Sequence, residues 1–173
     1  MVCFTEYISP IGTLTLSANG TALTGLWIKN QKYYPNLTNW QQVAPTDNPI
    51  LTAAILWLDL YFSGKKPSIS THSLPLSPQG TPFRQQVWRH LCQIPYGQTT
   101  SYGAIAKAIA EENNIPSMSA QAIGGAVGHN PISIIIPCHR VVGADGTLTG
   151  YAAGTDTKRR LLALEGIDAT NFS

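Results

Sequence analysis

At 173 residues the chain can bury a core in one domain or two small ones, and its 43% hydrophobic and 12% charged content fits a soluble globular protein. No apolar run approaches the roughly 20 residues needed to cross a bilayer, and the stretch Met1 to Pro10 has no basic start and carries Glu6, unlike a signal peptide. A net charge of +2, with seven Lys/Arg against six Asp/Glu from Gly80 onward, does not by itself announce a nucleic-acid binder.

The first part reads as strands. Cys3 to Ile8 leads to a Pro10-Ile11-Gly12 turn, Leu14 and Leu16 alternate with polar residues, and Asn19-Gly20 signals a hairpin before Leu23, Leu26 and Ile28. Residues 29 to 47 read as loop. A helix is predicted from near Asn48, with Pro49 in its first turn, Leu51, Ala54, Ile55, Leu58 and Phe62 on one face, and Gly64 as its stop. From Lys65 to Gly80 the prolines Pro67, Pro75 and Pro78 lie among serines, which predicts a linker and a domain boundary near residue 78: 1–78 and 79–173.

The second part opens with Thr81 as helix cap and Phe83, Val87 and Leu91 on one face to about Gln93. Ile94-Pro95-Tyr96-Gly97 forces a turn. Ser101 caps a second helix through Tyr102, Ile105, Ala106 and Ile109, stopped by polar Glu111 to Asn114 and by Pro116. A third helix, from about Ser117 to Gly128, is built of small residues, so the outline is a helix-turn-helix. After it, Val141-Val142, Ala144-Asp145-Gly146 and Thr147 to Thr149 predict a short hairpin. A last helix follows from about Thr155 to Glu165, with Leu161, Leu162 and Leu164 apolar and Gly166 as its stop.

The chemistry concentrates at Pro137-Cys138-His139-Arg140-Val141, reached through Ile134-Ile135-Ile136. A thiol beside an imidazole, after a segment too apolar for the surface, is where a sheltered nucleophile would be held. A free thiol has a pKa of about 8.5, so activation needs a base, and an imidazole needs a carboxylate to orient it. Glu165 is the candidate. Cys3, Cys92 and Cys138 are odd in number and widely spaced, which argues against disulfides and for a reducing, cytoplasmic setting; no zinc pattern appears.

The run from Asn130 to Val142, NPISIIIPCHRVV, resembles the signature of the O6-alkylguanine-DNA alkyltransferases. Phe83 to Trp88 (FRQQVW), Ile94 to Gly97 with Ser101-Tyr102-Gly103, Gly146 to Ala152 (GTLTGYA) and Leu161 to Gly166 (LLALEG) are similar to that family's other marks, in the same order. The resemblance covers essentially all of Gly80 to Gly166, and more loosely the strand-rich part.

The resemblance implies an α+β protein with an N-terminal small antiparallel sheet and helix of ribonuclease-H-like type, and a C-terminal winged helix-turn-helix domain. It implies irreversible transfer of an alkyl group from guanine O6, and possible extension to O4 of alkylated thymine, onto Cys138. Transfer occurs once per molecule, with no cofactor, no metal and no membrane. The partner is double-stranded DNA containing O6-alkylguanine, met by a monomer. Cys138 would be the nucleophile, His139 its water-mediated base and Glu165 the group that orients the imidazole. Tyr102 would turn the target phosphate and donate toward guanine N3, and Asn130 would be the hinge into the active-site turn. Ala120, Gln121, Ala122 and Gly124 would face DNA on the third helix; Val141, Tyr151 and Ala152 would line the base pocket; Pro137 and Arg140 would brace the site. The damaged base must leave the duplex to reach such a thiol. Gln121 stands where the family commonly carries an arginine that fills the vacated stack, and residues around Glu111 to Pro116 lengthen the helix-turn-helix connection.

Two rival functions fit parts of the pattern. A non-catalytic binder of alkylated DNA has the cysteine replaced, whereas Cys138 is present. A winged-helix regulator with a sensing cysteine needs a further DNA-reading, metal-binding domain for which the chain has no room.

Overall fold

The computed structural model describes residues 1–69 and 73–173, so residues 70–72 of the expected linker lie outside the described residues. The chain divides into two compact units, Met1–Gln79 with Pro131–Ser133, and Gly80–Asn130 with Ile134–Ser173.

In the first unit, β1 (Cys3–Ser9), β2 (Gly12–Ala18) and β3 (Leu23–Ile28) form an antiparallel meander, and β4 (Gln41–Gln42) adds in parallel to β1, giving the order β3-β2-β1-β4. The expected loop 29–47 therefore contributes a short edge strand. The first turn works because Gly12 takes φ +116, which a side chain would disfavour. At the second, the Asn19 side-chain oxygen accepts from the backbone N–H groups of Thr21 and Ala22, both at 2.8 Å. This Asx turn is wider than a two-residue Asn-Gly hairpin.

Strand β2 is buried on both faces from Leu14 to Ala18. Its polar members are satisfied internally: Thr15 bonds Tyr34 at 2.7 Å and Ser17 bonds Thr24 at 2.8 Å.

Helix α1 (Pro49–Phe62) packs on this sheet, capped by Asn48, whose side chain accepts from Ile50 and Leu51 N–H. Its buried face is Leu51, Ala54, Trp57, Leu58 and Tyr61. This face is rotated away from the predicted one: Ile55 and Phe62 are only half-buried, because Trp57 and Tyr61 stack at 5.4 Å and fill the interior. The linker reading also needs correction at its end. Leu23 N–H donates to Pro75 O at 2.9 Å and Ser77 N–H to Leu23 O at 2.8 Å, so Pro75–Ser77 runs as a bridge beside β3.

The second unit holds α2 (Pro82–Leu91), α3 (Tyr102–Glu112), α4 (Ala120–Gly128) and α5 (Thr155–Leu164). Thr81, Ser101 and Ser119 each cap a helix by accepting a backbone N–H three residues on. Helix α4 thus begins three residues later than predicted from Ser117: Ser119 stops extension toward the N-terminus. Helices α2, α3 and α4 pack on one another, and Trp88 pins α2 to α4 by donating Nε1–H to Ala126 O at 2.8 Å inside the core.

The predicted 141–149 hairpin does not form. β6 (Val141–Val142) pairs in parallel with β5 (Thr100–Ser101), Thr100 opposite Val141 and Ser101 opposite Val142. Only the turn survives, with Gly143 N–H donating to Thr147 O at 2.9 Å and the Asp145 carboxylate accepting from Thr147. Val142, Leu148, Leu162 and Ala169 close a small core beneath it.

Candidate active site

Pro137 ends an irregular run in which Ile134 adopts φ +70, a strained choice for a β-branched side chain. Asn130 closes this run by donating Nδ2–H to Ile136 O at 2.8 Å. Cys138–Arg140 then forms a single 3-10 turn. Three residues per turn send successive side chains roughly 120° apart, so the sulfur and the imidazole diverge despite being neighbours in sequence. Directly after the turn, the β5–β6 pairing sets Val141, fully buried, beside Thr100 and so brings the start of α3 and Tyr102 to the same place.

His139 and Glu165 are both buried, and Nε2 lies 2.7 Å from Oε1. Glu165, the C-cap of α5, also receives Arg140: Nε–H donates to Oε2 at 2.9 Å and Nη2–H to Oε1 at 2.9 Å, a two-pronged pair. Gly97 N–H adds a bond to Oε2 at 3.1 Å, and Arg140 Nη1–H reaches Ile94 O at 2.8 Å. The 94–97 turn is thereby tied to the end of α5.

Burial acts to raise the Glu165 carboxyl, but hydrogen bonds from His139 and Arg140 outweigh it and bring the pKa down to about 2. Burial lowers His139, against the pull of Glu165 and with Arg140 and Lys158 adding to the lowering. The two directions fit one state. Glu165 is ionised and balanced by Arg140, while His139 is neutral and donates Nε2–H, leaving its lone pair on Nδ1.

Cys138 is 5% exposed. Burial pushes its thiol up; a hydrogen bond from the Asn130 side chain, the charge of Lys158 and backbone N–H groups of Cys138 and His139 act in the opposite direction. The resting sulfur is therefore a protected thiol surrounded by groups that favour the thiolate.

Lys158 is the residue that sequence reasoning missed. It sits 1% exposed, donates Nζ–H to Thr149 O at 3.2 Å and lies 5.8 Å from the Tyr102 ring centre. Burial lowers its pKa to about 8. The signal was its spacing: Lys158, Leu161 and Leu162 share the apolar stripe of α5, where a lysine is out of place. Tyr102 donates Oη–H to the same Thr149 carbonyl at 2.8 Å, and burial with the nearby Cys138 raises its pKa to about 12. Gly150 follows at φ +75, and a Cβ there would lie 3.4 Å from Tyr102 Oη.

Of the other candidates, Gly124 lies against the Tyr102 ring, where a Cβ would be 3.9 Å away. Ala120, Gln121 and Ala122 form the exposed first turn of α4, and Ala152 is half-buried in the turn before α5. Among the described residues no group of three His, Cys, Asp or Glu side chains is arranged to hold a metal ion.

The DNA-binding domain of 6-O-methylguanine DNA methyltransferase matches residues 82–167, and the ribonuclease-like domain of the same protein matches residues 2–78. The chain belongs to this family. Among relatives in the 6-O-methylguanine DNA methyltransferase family, the methylated-DNA–protein-cysteine methyltransferase of Mycobacterium bovis is 44% identical over 95% of this chain and 93% of its own length. That of Haemophilus influenzae is 41% identical over 95% of this chain and 86% of its own. The structure of Mycobacterium tuberculosis OGT in complex with DNA superposes at a TM-score of 0.82, with 40% identity and 98% of both chains covered. The α+β family fold, with its ribonuclease-like and DNA-binding parts, is the fold of this chain.

Proposed function

We propose that this chain repairs DNA by moving an alkyl group from O6 of guanine in duplex DNA onto Cys138, once per molecule, with no cofactor. The observation that carries this reading is a buried thiol in a turn whose next two residues are locked to one buried carboxylate. Family membership supplies the substrate class.

The chemistry follows from the charge state. Neutral His139, with its Nδ1 lone pair, accepts the thiol proton through a water, and the imidazolium so formed is stabilised by ionised Glu165 at 2.7 Å. Arg140 keeps Glu165 ionised and holds the turn; it positions rather than reacts. The thiolate displaces the alkyl carbon from O6: a C–S bond forms, the C–O6 bond breaks, and the electron pair stays on the purine. The purine takes up one proton, so the products are S-alkylcysteine and ordinary guanine. A thioether has no easy route back, which makes the protein a single-use reagent.

Tyr102 Oη, which rests on Thr149 O, is the donor for the incoming nucleotide, and Val141, Tyr151 and Ala152 border the base. Asn130 braces the turn through Ile136 O and favours the thiolate. The exposed first turn of α4, with Gln121, meets the minor groove. The reading places the chemistry within residues 79–173 and the protein in the cytoplasm as a monomer; no described helix is long and apolar enough to cross a membrane.

Titrating a fixed amount of O6-methylguanine duplex with increasing protein tests the reading. Lesion loss should equal the protein added, mole for mole. Binding with the lesion intact, or loss beyond one equivalent, would refute it.

A further inference from the structure

The Tyr151 hydroxyl is buried and, among the described residues, has no hydrogen-bond partner. The residue as a whole is half-buried, while its hydroxyl oxygen is sealed from water. A phenol in that position forfeits its bonds to solvent and recovers none from the protein, a cost that native structures keep only where something compensates. The hydroxyl is not remote from the chemistry. It lies within electrostatic reach of the Cys138 sulfur, and burial first, then that sulfur, raises its pKa well above the ordinary phenol value, so it remains a proton-bearing donor throughout the working pH range.

The neighbouring tyrosine differs. Tyr102 Oη, also within the electrostatic reach of Cys138, already donates to Thr149 O at 2.8 Å. Tyr151 is two residues beyond that carbonyl, and among the described residues its donor has no such resting place.

We infer that the Tyr151 hydroxyl donates a hydrogen bond to the leaving oxygen, O6 of the alkylated guanine, as its bond to carbon breaks. This rests on the alkyl-transfer reading above and adds to it a catalytic residue. In an in-line displacement the sulfur approaches the carbon to about 3–3.5 Å and the leaving oxygen lies one bond beyond it. A donor near the sulfur but not bonded to it is suited to that outer position. Sulfur gains the carbon, O6 keeps the electron pair of the broken bond, and Tyr151 shares its proton without losing it. The proton that completes the neutral guanine comes from solvent, replacing the thiol proton passed to His139.

The test is Tyr151→Phe, which removes the oxygen alone. Single-turnover methyl transfer from an O6-methylguanine duplex is compared with alkylation of Cys138 by iodoacetamide, whose iodide leaves unaided. The inference expects transfer from guanine to fall by roughly 100-fold, iodoacetamide labelling to be unchanged, and the melting temperature to be equal or higher because a stranded hydroxyl is gone. Transfer at the wild-type rate would overturn it, as would an equal fall in both reactions. An unfolded variant would also overturn it, by showing that the hydroxyl has a protein partner. If wild-type protein accepts no methyl group, the alkyl-transfer reading itself has failed; if it does and the variant matches it, only the role of Tyr151 is lost.

Discussion

Glu165 Oε1 lies 2.7 Å from His139 Nε2, with both side chains sealed from solvent, and the same carboxylate is gripped by Nε and Nη2 of Arg140. One anion thus fixes the tautomer of the imidazole and neutralises the buried Arg140 guanidinium beside it. Replacing Glu165 by Gln keeps the shape and removes the charge. Arg140 then remains buried without its counter-charge, which costs about 3–5 kcal/mol, and the imidazolium loses its stabiliser, which lowers transfer by about 100-fold or more. Urea denaturation and single-turnover kinetics at neutral pH measure the two effects; a stable variant with full activity would contradict the assignment.

The same pair sets the acid limit of the fold. Glu165 titrates near 2 when folded against an ordinary value of 4.5. Its folded pKa is depressed, so its contribution, of the order of 3 kcal/mol, is complete above about pH 4.5 and is lost as pH falls toward 2. His139, also depressed, adds loss in the same direction. Stability measured from pH 6 to pH 2 should fall steeply in the wild type and much less in Glu165→Gln.

Lys158 acts in the same pH direction at the alkaline end, but here it is the charged form that burial penalises. Its pKa is pulled from 10.5 to about 8 by burial, so the folded protein binds that proton less readily than the unfolded chain. Its stability contribution is therefore full above about pH 10.5 and lost as pH falls through 8. Lys158→Met, which keeps an unbranched chain, should stabilise the protein at pH 7 by up to about 3 kcal/mol and lose that advantage by pH 10.5. Cys138 should react more slowly with iodoacetamide at pH 7, because the cation that favours the thiolate is gone. Thermal melts at both pH values decide it; a lower melting point at pH 7 would contradict the account.

What the sequence discloses and conceals follows from the range of each interaction. The caps at Asn48, Thr81 and Ser101 are legible because the accepting side chain and the N–H it serves are two or three residues apart. The false hairpin at 141–149 has the opposite cause: Val141-Val142 has local turn chemistry behind it, yet its partner is Thr100–Ser101, some forty residues earlier. The rotated face of α1 reflects Trp57 and Tyr61, whose stacking outweighs a pattern drawn on aliphatic residues. Glu165 is legible as a carboxylate the imidazole needs; that it also carries Arg140 and Gly97 requires three separate segments to meet. Lys158 is hidden by the habit of reading lysine as surface.

Gln121 stands exposed in the first turn of α4, the turn assigned to DNA. In the vacated stack that the proposed reading assigns to it, a glutamine would bring neither charge nor a planar cation. Gln121→Arg should raise the repair rate on duplex DNA and leave labelling of Cys138 by iodoacetamide unchanged. Equal or slower duplex repair would contradict the assignment of that turn.

The central claim is that the Cys138 sulfur itself takes the carbon. Intact mass followed by peptide mapping, after incubation with an excess of O6-methylguanine duplex, measures it directly. The account predicts a gain of one methyl group per chain, confined to the Cys138 peptide and absent in Cys138→Ser. A methyl on Cys3 or Cys92, or an unmodified chain beside repaired DNA, would contradict it.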